Sequence, residues 1–131
     1  MKPLLAILLL LTSTAQAAEC RNIRTLDGDT FVADIDLGFD VVLHQQTVRI
    51  HGYDAWESSY RRQTIQFAKD ELIKGALAKA ALEKLLGSAS KVTVQEVAGR
   101  DPYGRRILDL KVDGVDVVPL LRAAGHERKN P

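Results

Sequence analysis

Along residues 30–51 apolar side chains alternate with polar ones, and from about Gln63 to Leu86 their spacing lengthens to three or four positions. A period of two belongs to strands with one buried face and a period near 3.6 to a helix, so strands come first and a helix follows. Arg21 to Leu26 reads as a short strand. In Thr30 to Leu37, Phe31, Ala33 and Ile35 share one side, with Thr30, Asp34 and Asp36 on the other, and Val41 to His51 sets Val48 and Ile50 against Arg49 and His51. Asp27-Gly28 is a two-residue hairpin signal whose central positions are expected at positive φ, and Leu37-Gly38-Phe39-Asp40 supplies the next reversal.

The helical stretch carries Ile65, Ala68, Leu72, Ile73, Ala76, Leu77, Ala80, Leu85 and Leu86 as its expected buried stripe, with Gly87 as the stop. Gly75 in its interior costs about 1 kcal/mol relative to alanine, so either packing on the sheet or a kink is expected there. Val92 to Val97 and Ile107 to Val112 read as two more strands, with Asp113-Gly114 as a turn beyond them. Asp116 caps a short helix that runs through Ala124 and ends at Gly125, with Pro119 tolerated in its first turn. Three strands, a helix, two strands and a short helix give the order of an OB-fold. The expected class is α+β and mostly β: a five-stranded Greek-key barrel with a helix between strands 3 and 4 and a short C-terminal helix.

At 131 residues there is room for one domain. Lys2, the apolar run Leu4 to Leu11 and Ala15-Gln16-Ala17 have the pattern of a secretory signal cleaved after Ala17. The run is far shorter than the ~20 residues of a bilayer-crossing helix. Residues 18–131 are therefore expected to form the mature domain, secreted or periplasmic, monomeric and without stable membrane association. Cys20 is the only cysteine, which rules out an internal disulfide, and its place beside the new amino terminus suggests a mobile thiol. His44, His51 and His126 are scattered, so no zinc cluster is evident. The 18 basic and 17 acidic residues exclude a basic coat or an acidic tail, but they are unevenly placed. Glu19 to Glu57 holds eight acidic and three basic residues, and Ser58 to Pro131 holds nine and fourteen, a distribution that could set a cation site beside an anion site.

Three clusters carry chemistry. Asp27-Gly28-Asp29-Thr30 places Asp29 on the same side of its strand as Phe31, Ala33 and Ile35, so a carboxylate points toward the buried face, where it must be paired, hydrogen-bonded or metal-bound. Val48 to Glu57 starts as a strand and ends as a loop that delivers Arg49, Asp54 and Glu57 past a glycine bend. Asp101-Pro102-Tyr103-Gly104-Arg105 is a turn before a strand.

Together these clusters resemble the staphylococcal nuclease (thermonuclease) family, whose pattern is D-G-D-T, then R followed by D-x-P-E, then D-x-Y-G-R after a helix. The resemblance spans about Ile23 to Gly125. It implies that Asp29 and Asp54, with the backbone carbonyl of Ala55, hold Ca2+, for which carboxylate and carbonyl oxygens are the suited donors. So few protein ligands imply weak binding, about 10⁻⁴ to 10⁻³ M, usable where calcium is abundant outside the cytosol. By the same resemblance Glu57 orients or deprotonates the attacking water, Arg49 and Arg105 clamp the phosphate, and Tyr103 touches the phosphate or leaving group. The implied activity is cleavage of DNA and/or RNA with little sequence specificity, leaving a 3′-phosphate. Trp56 departs from the family's proline, Pro102 stands where some relatives have lysine, and the chain ends soon after Gly125, where the family pattern continues. The alternative expectation is a non-catalytic OB-fold module binding single-stranded nucleic acid, which would need exposed aromatic platforms.

Overall fold

The computed structural model describes residues 17–57 and 65–128, with side chains of the long helix described from residue 69. The signal reading of residues 1–17 lies outside this range except for Ala17, as do Arg61 and Arg62 and the side chains of Ile65 and Ala68. The elements run β1 (Ala18–Asp27), β2 (Thr30–Asp36), β3 (Val42–Ile50), α1 (Ile65–Ser88), β4 (Val92–Arg100), β5 (Arg106–Val112), the two-residue β6 (Val115–Asp116) and α2 (Val117–Ala123). Antiparallel pairs β1–β2, β2–β3, β4–β5 and β1–β4 join a parallel β3–β5 pair, which closes five strands into a barrel in the order 1-2-3-5-4. This is the expected OB-fold. Among the described residues no helix is long and apolar enough to cross a membrane.

β1 is longer than expected because it serves two partners. Its start pairs with β4, Ala18 opposite Val94, while register shifts between Arg21 and Arg24 and between Thr25 and Asp27 let the same strand follow β2. Such irregularities bend and twist a strand, as barrel closure requires. Cys20 is consequently not mobile. It is 5% exposed in the core, opposite Ile35 of β2, and burial, helped by Glu19, pushes its thiol up to about 12. A thiol so held stays protonated and inert.

The alternation in β2 is borne out on its inner side, where Phe31, Ala33 and Ile35 are buried. Thr30, expected to face outward, is buried as well, and its hydroxyl donates to Asp29 at 2.8 Å. The Asp113-Gly114 turn has positive φ at both residues (50° and 80°), as a tight hairpin demands. α2 is capped by Asp116, whose carboxylate accepts from the Val118 amide at 3.0 Å, and the chain leaves it at Gly125 with φ 84°.

Two expectations fail. The turn falls on Gly28-Asp29, because Asp27 is still in β1 and pairs with Thr30. Neither Asp27 nor Gly28 has positive φ. A glycine is required at 28 because a Cβ there would lie 2.7 Å from the Ala55 Cβ and 2.8 Å from the Ala78 Cβ. The turn presses directly onto α1, and α1 must therefore present its smallest residues to it. Its buried face is Gly75, Ala78, Leu82 and Leu86, whereas Ile73 and Leu77 of the expected stripe are 61% and 58% exposed and Ala76 and Ala80 face outward. The helix is apolar on more than one side, so periodicity alone does not choose the face; close approach does. Packing also accounts for Gly75, which is buried in an uninterrupted 24-residue helix.

Gly28→Ala tests this contact. Overpacking of a filled site costs about 1–3 kcal/mol, which lowers the melting temperature by ~4 °C per kcal/mol in a domain of this size. Thermal melting of the variant checks it. A melt matching the parent would mean that turn and helix part freely.

Candidate active site

β2 starts one residue after Asp29, and its register sets Thr30 opposite Arg49 of β3. The Ile50 amide donates to the Asp29 carbonyl at 2.9 Å, so the backbone carrying Asp29 is fastened to the end of β3. Gly52 then turns the chain with φ 71°, and the loop alternates: Tyr53 buried, Asp54 exposed, Ala55 buried. This delivers Asp54 to the rim above Arg49.

Asp29 is 7% exposed and fully engaged. Its Oδ1 accepts from the Thr30 hydroxyl, and its Oδ2 accepts from the Ala55 amide at 3.0 Å and forms an ion pair with the Arg49 guanidinium. Arg49 reaches Asp54 as well, Nη2 to Oδ1 at 3.1 Å. Burial would lower the Arg49 pKa, but Asp29 and then Asp54 outweigh it and hold the guanidinium above its ordinary value. One side chain thus gathers the two carboxylates expected as cation ligands. That a single guanidinium touches both means they converge on one small region, and a buried carboxylate beside an exposed one supplies the hard oxygens that Ca2+ takes. The donor set therefore fits the ion. Among the described residues no cluster of three or more His, Cys, Asp or Glu is placed to hold a metal, so water and substrate oxygens would complete the coordination.

Arg105 is held separately. Asp101 accepts from the Tyr103 and Arg105 amides, both at 2.9 Å, and from Arg105 Nε at 2.6 Å. Burial works against ionisation of Asp101, but the hydrogen bonds from Arg105 and Tyr103 hold its pKa below the usual carboxylate value. Tyr103 is 81% exposed, with the Arg105 guanidinium 5.4 Å from its ring centre. The parallel β3–β5 register, Val48 opposite Arg106, brings this turn beside β3.

Arg49, His51, Tyr53, Asp54, Asp101 and Glu127 help line an open cleft of about 520 Å³. Thr47, Tyr103, Gly104 and Arg105 line a second depression of about 280 Å³. Asp101 faces the first while gripping Arg105 in the second, so the two adjoin. Of the expected site residues, Asp29, Arg49 and Asp54 meet directly, Ala55 joins them through its amide rather than the expected carbonyl, and Tyr103 and Arg105 lie next door. Glu57 is half-buried three residues past Asp54 and is not among the described residues lining either hollow. Trp56 is half-buried with the Lys74 ammonium 4.5 Å from its ring centre, a contact that ties the loop to α1.

The residues that frame this loop were not evident from sequence. Arg122 donates to the Gly52 carbonyl and to Glu127, both at 2.5 Å, the Arg128 amide donates to the Asp54 carbonyl at 2.7 Å, and Glu127 forms a bridge with Ala55. The segment after α2 thus closes over the loop. Tyr53 beneath it is 3% exposed, and its hydroxyl is buried without a hydrogen-bond partner among the described residues. Burial, then Asp29, Glu127 and Asp54, hold this phenol above its ordinary pKa. Only a tertiary contact could have flagged Arg122, Glu127 and Arg128, since none of the three stands in a motif. Neither a scan against protein-family models nor a comparison with curated proteins finds a match to the chain.

Proposed function

We propose that this chain is an exported, calcium-dependent nuclease that hydrolyses phosphodiester bonds of DNA and/or RNA with little sequence preference. The observation that carries the reading is the convergence of Asp29 and Asp54 on one guanidinium at the barrel rim, beside a second arginine held by its own carboxylate. Bound calcium would supply charge stabilisation to a phosphoryl oxygen, held by Asp29, Asp54 and the Ala55 carbonyl. Arg49 and Arg105 donate to the phosphoryl oxygens as negative charge builds on them, which planar, permanently charged guanidinium groups do well. Glu57 orients or deprotonates the attacking water, and Tyr103 meets the substrate at the exposed edge. All these contacts go to the backbone, and this supports low sequence specificity. Export would place the protein where calcium is plentiful.

A non-catalytic single-strand-binding module is less well supported. It relies on stacked aromatic rings, yet Phe31 and Tyr53 are core residues, Trp56 is half-buried, and Phe39 is exposed in the β2–β3 turn at the other end of the β2–β3 pair, which leaves Tyr103 as the one well-exposed ring at the site among the described residues. The discriminating experiment incubates the mature protein with single- and double-stranded DNA and with RNA, in calcium, magnesium or chelator. Cleavage is expected in calcium, much slower in magnesium because that smaller ion demands stricter octahedral geometry, and absent in chelator. Undiminished cleavage in chelator would overturn the reading.

A further inference from the structure

Arg49 stands where a cation would. Its guanidinium pairs with Asp29 and with Asp54 at once, although Asp29 is nearly sealed, with 10% of its side chain exposed, and Asp54 is 55% exposed. A buried carboxylate must be paired, hydrogen-bonded or metal-bound, and Asp29 has Arg49 as its ion-pair partner beside the Thr30 and Ala55 hydrogen bonds. Resting on the calcium reading above, we propose that Arg49 is the resting counter-ion of this carboxylate pair and that a divalent cation displaces it, releasing the guanidinium into the cleft toward the substrate phosphate.

The surroundings permit such an exchange. The backbone at residue 49 is fixed by the Thr30–Arg49 register and by the neighbouring Ile50–Asp29 hydrogen bond, so only the side chain has to move. It has somewhere to go, because Arg49 lines the open 520 Å³ cleft, whose lining also includes Asp101, the carboxylate that holds Arg105. A phosphate group entering between the two arginines would compensate Arg49 for its lost carboxylates. Cation and phosphate would then each strengthen the binding of the other by the same factor, as linkage requires. A free cation, by contrast, must compete with an ion pair already made. The arginine would act as a lock on the site until cation and substrate arrive together.

The distinguishing consequence runs opposite to that of a simple phosphate clamp: removing Arg49 should improve calcium binding in the absence of substrate. Calcium affinity is measured by titration calorimetry on the parent, Arg49→Met, Arg49→Lys and Arg105→Met. Arg49→Met is expected to bind calcium about 5- to 150-fold more tightly than the parent, the range of typical coupling between sites. Arg49→Lys should fall between the two, since an ammonium makes a point contact with one carboxylate and lacks the bridging fork. Arg105→Met removes an equal charge nearby and controls for the general field; its affinity should rise less than twofold. If Arg49→Met melts too low for calorimetry in calcium-free buffer, the rise in melting temperature on adding calcium reports the same equilibrium and should exceed that of the parent.

Equal calcium affinity in the parent and Arg49→Met, or an equal gain in Arg105→Met, would overturn the exchange while leaving the calcium site standing. No calcium binding by any of the four proteins would overturn both the exchange and the calcium reading beneath it.

Discussion

Asp29→Ala is expected to abolish calcium-dependent cleavage and at the same time to destabilise the domain by about 3 kcal/mol. Both effects follow from one position. Asp29 is buried, it accepts from the Ala55 amide and the Thr30 hydroxyl, and it neutralises an arginine whose side chain is 20% exposed. Deleting one member of a buried pair costs about 3–5 kcal/mol because the other charge stays behind in a poor solvent. The low end applies, since Asp54 still pairs with Arg49 from the solvent side. At ~4 °C per kcal/mol the melting temperature should fall by ~12 °C. The turn that Asp29 shares with Gly28 would also lose its tie to the Ala55 loop, so the remaining cation ligands would loosen together. Calorimetric melting beside a calcium titration and a cleavage assay tests the prediction. A variant that melts with the parent and still cuts in calcium would reduce Asp29 to a turn residue.

Arg105→Lys should lower kcat by 10²- to 10³-fold while leaving the fold nearly untouched. The size follows from loss of one preorganised donor at a developing oxyanion, worth about 2.7–4 kcal/mol in the transition state. Asp101 engages Nε of Arg105, so a phosphoryl group would be met by the terminal nitrogens of the fork. Lysine keeps the charge and can keep the contact with Asp101, but it cannot present two coplanar donors. Substrate affinity should change much less than kcat because the missing interaction is strongest at the transition state. The melting temperature should move by no more than a few degrees, since partly exposed pairs contribute little to stability. The measurements are kcat and KM on a single-stranded oligonucleotide in calcium, beside a melt of each protein. A fall in kcat below tenfold would return Arg105 to an ordinary turn arginine. A binding module would show no such split, because its affinity depends on charge that lysine retains.

Much of this molecule is legible in the chain itself. The order of strands and helices, the Asp116 cap, the Gly125 stop and the Asp113-Gly114 turn all follow from interactions within a few residues, namely side-chain period, capping and the φ range of glycine. The same local logic puts Asp29 on the buried side of the chain just ahead of β2. The assembled site is less legible, although the three motifs contain the residues that come together there, Asp29, Arg49, Asp54 and Ala55 with Tyr103 and Arg105 alongside. No local pattern states that Arg49 bridges Asp29 and Asp54, that Asp101 spends its carboxylate on Arg105, or that Glu127 and Arg128 fold back over Asp54 and Ala55. Periodicity does not give the rotation of α1, because its apolar residues cover more than one side: Leu86 of the expected stripe is buried while Ile73 and Leu77 are exposed. The reason for a glycine at 28 is not local either, because the neighbours that require it, Ala55 and Ala78, are 27 and 50 positions away. Periodicity reports that an element has an apolar side, and short-range sterics decide its conformation. Which surface that side meets, how closely backbones approach and which charges share a partner depend on register and shape between distant segments, and these are settled only when the barrel closes.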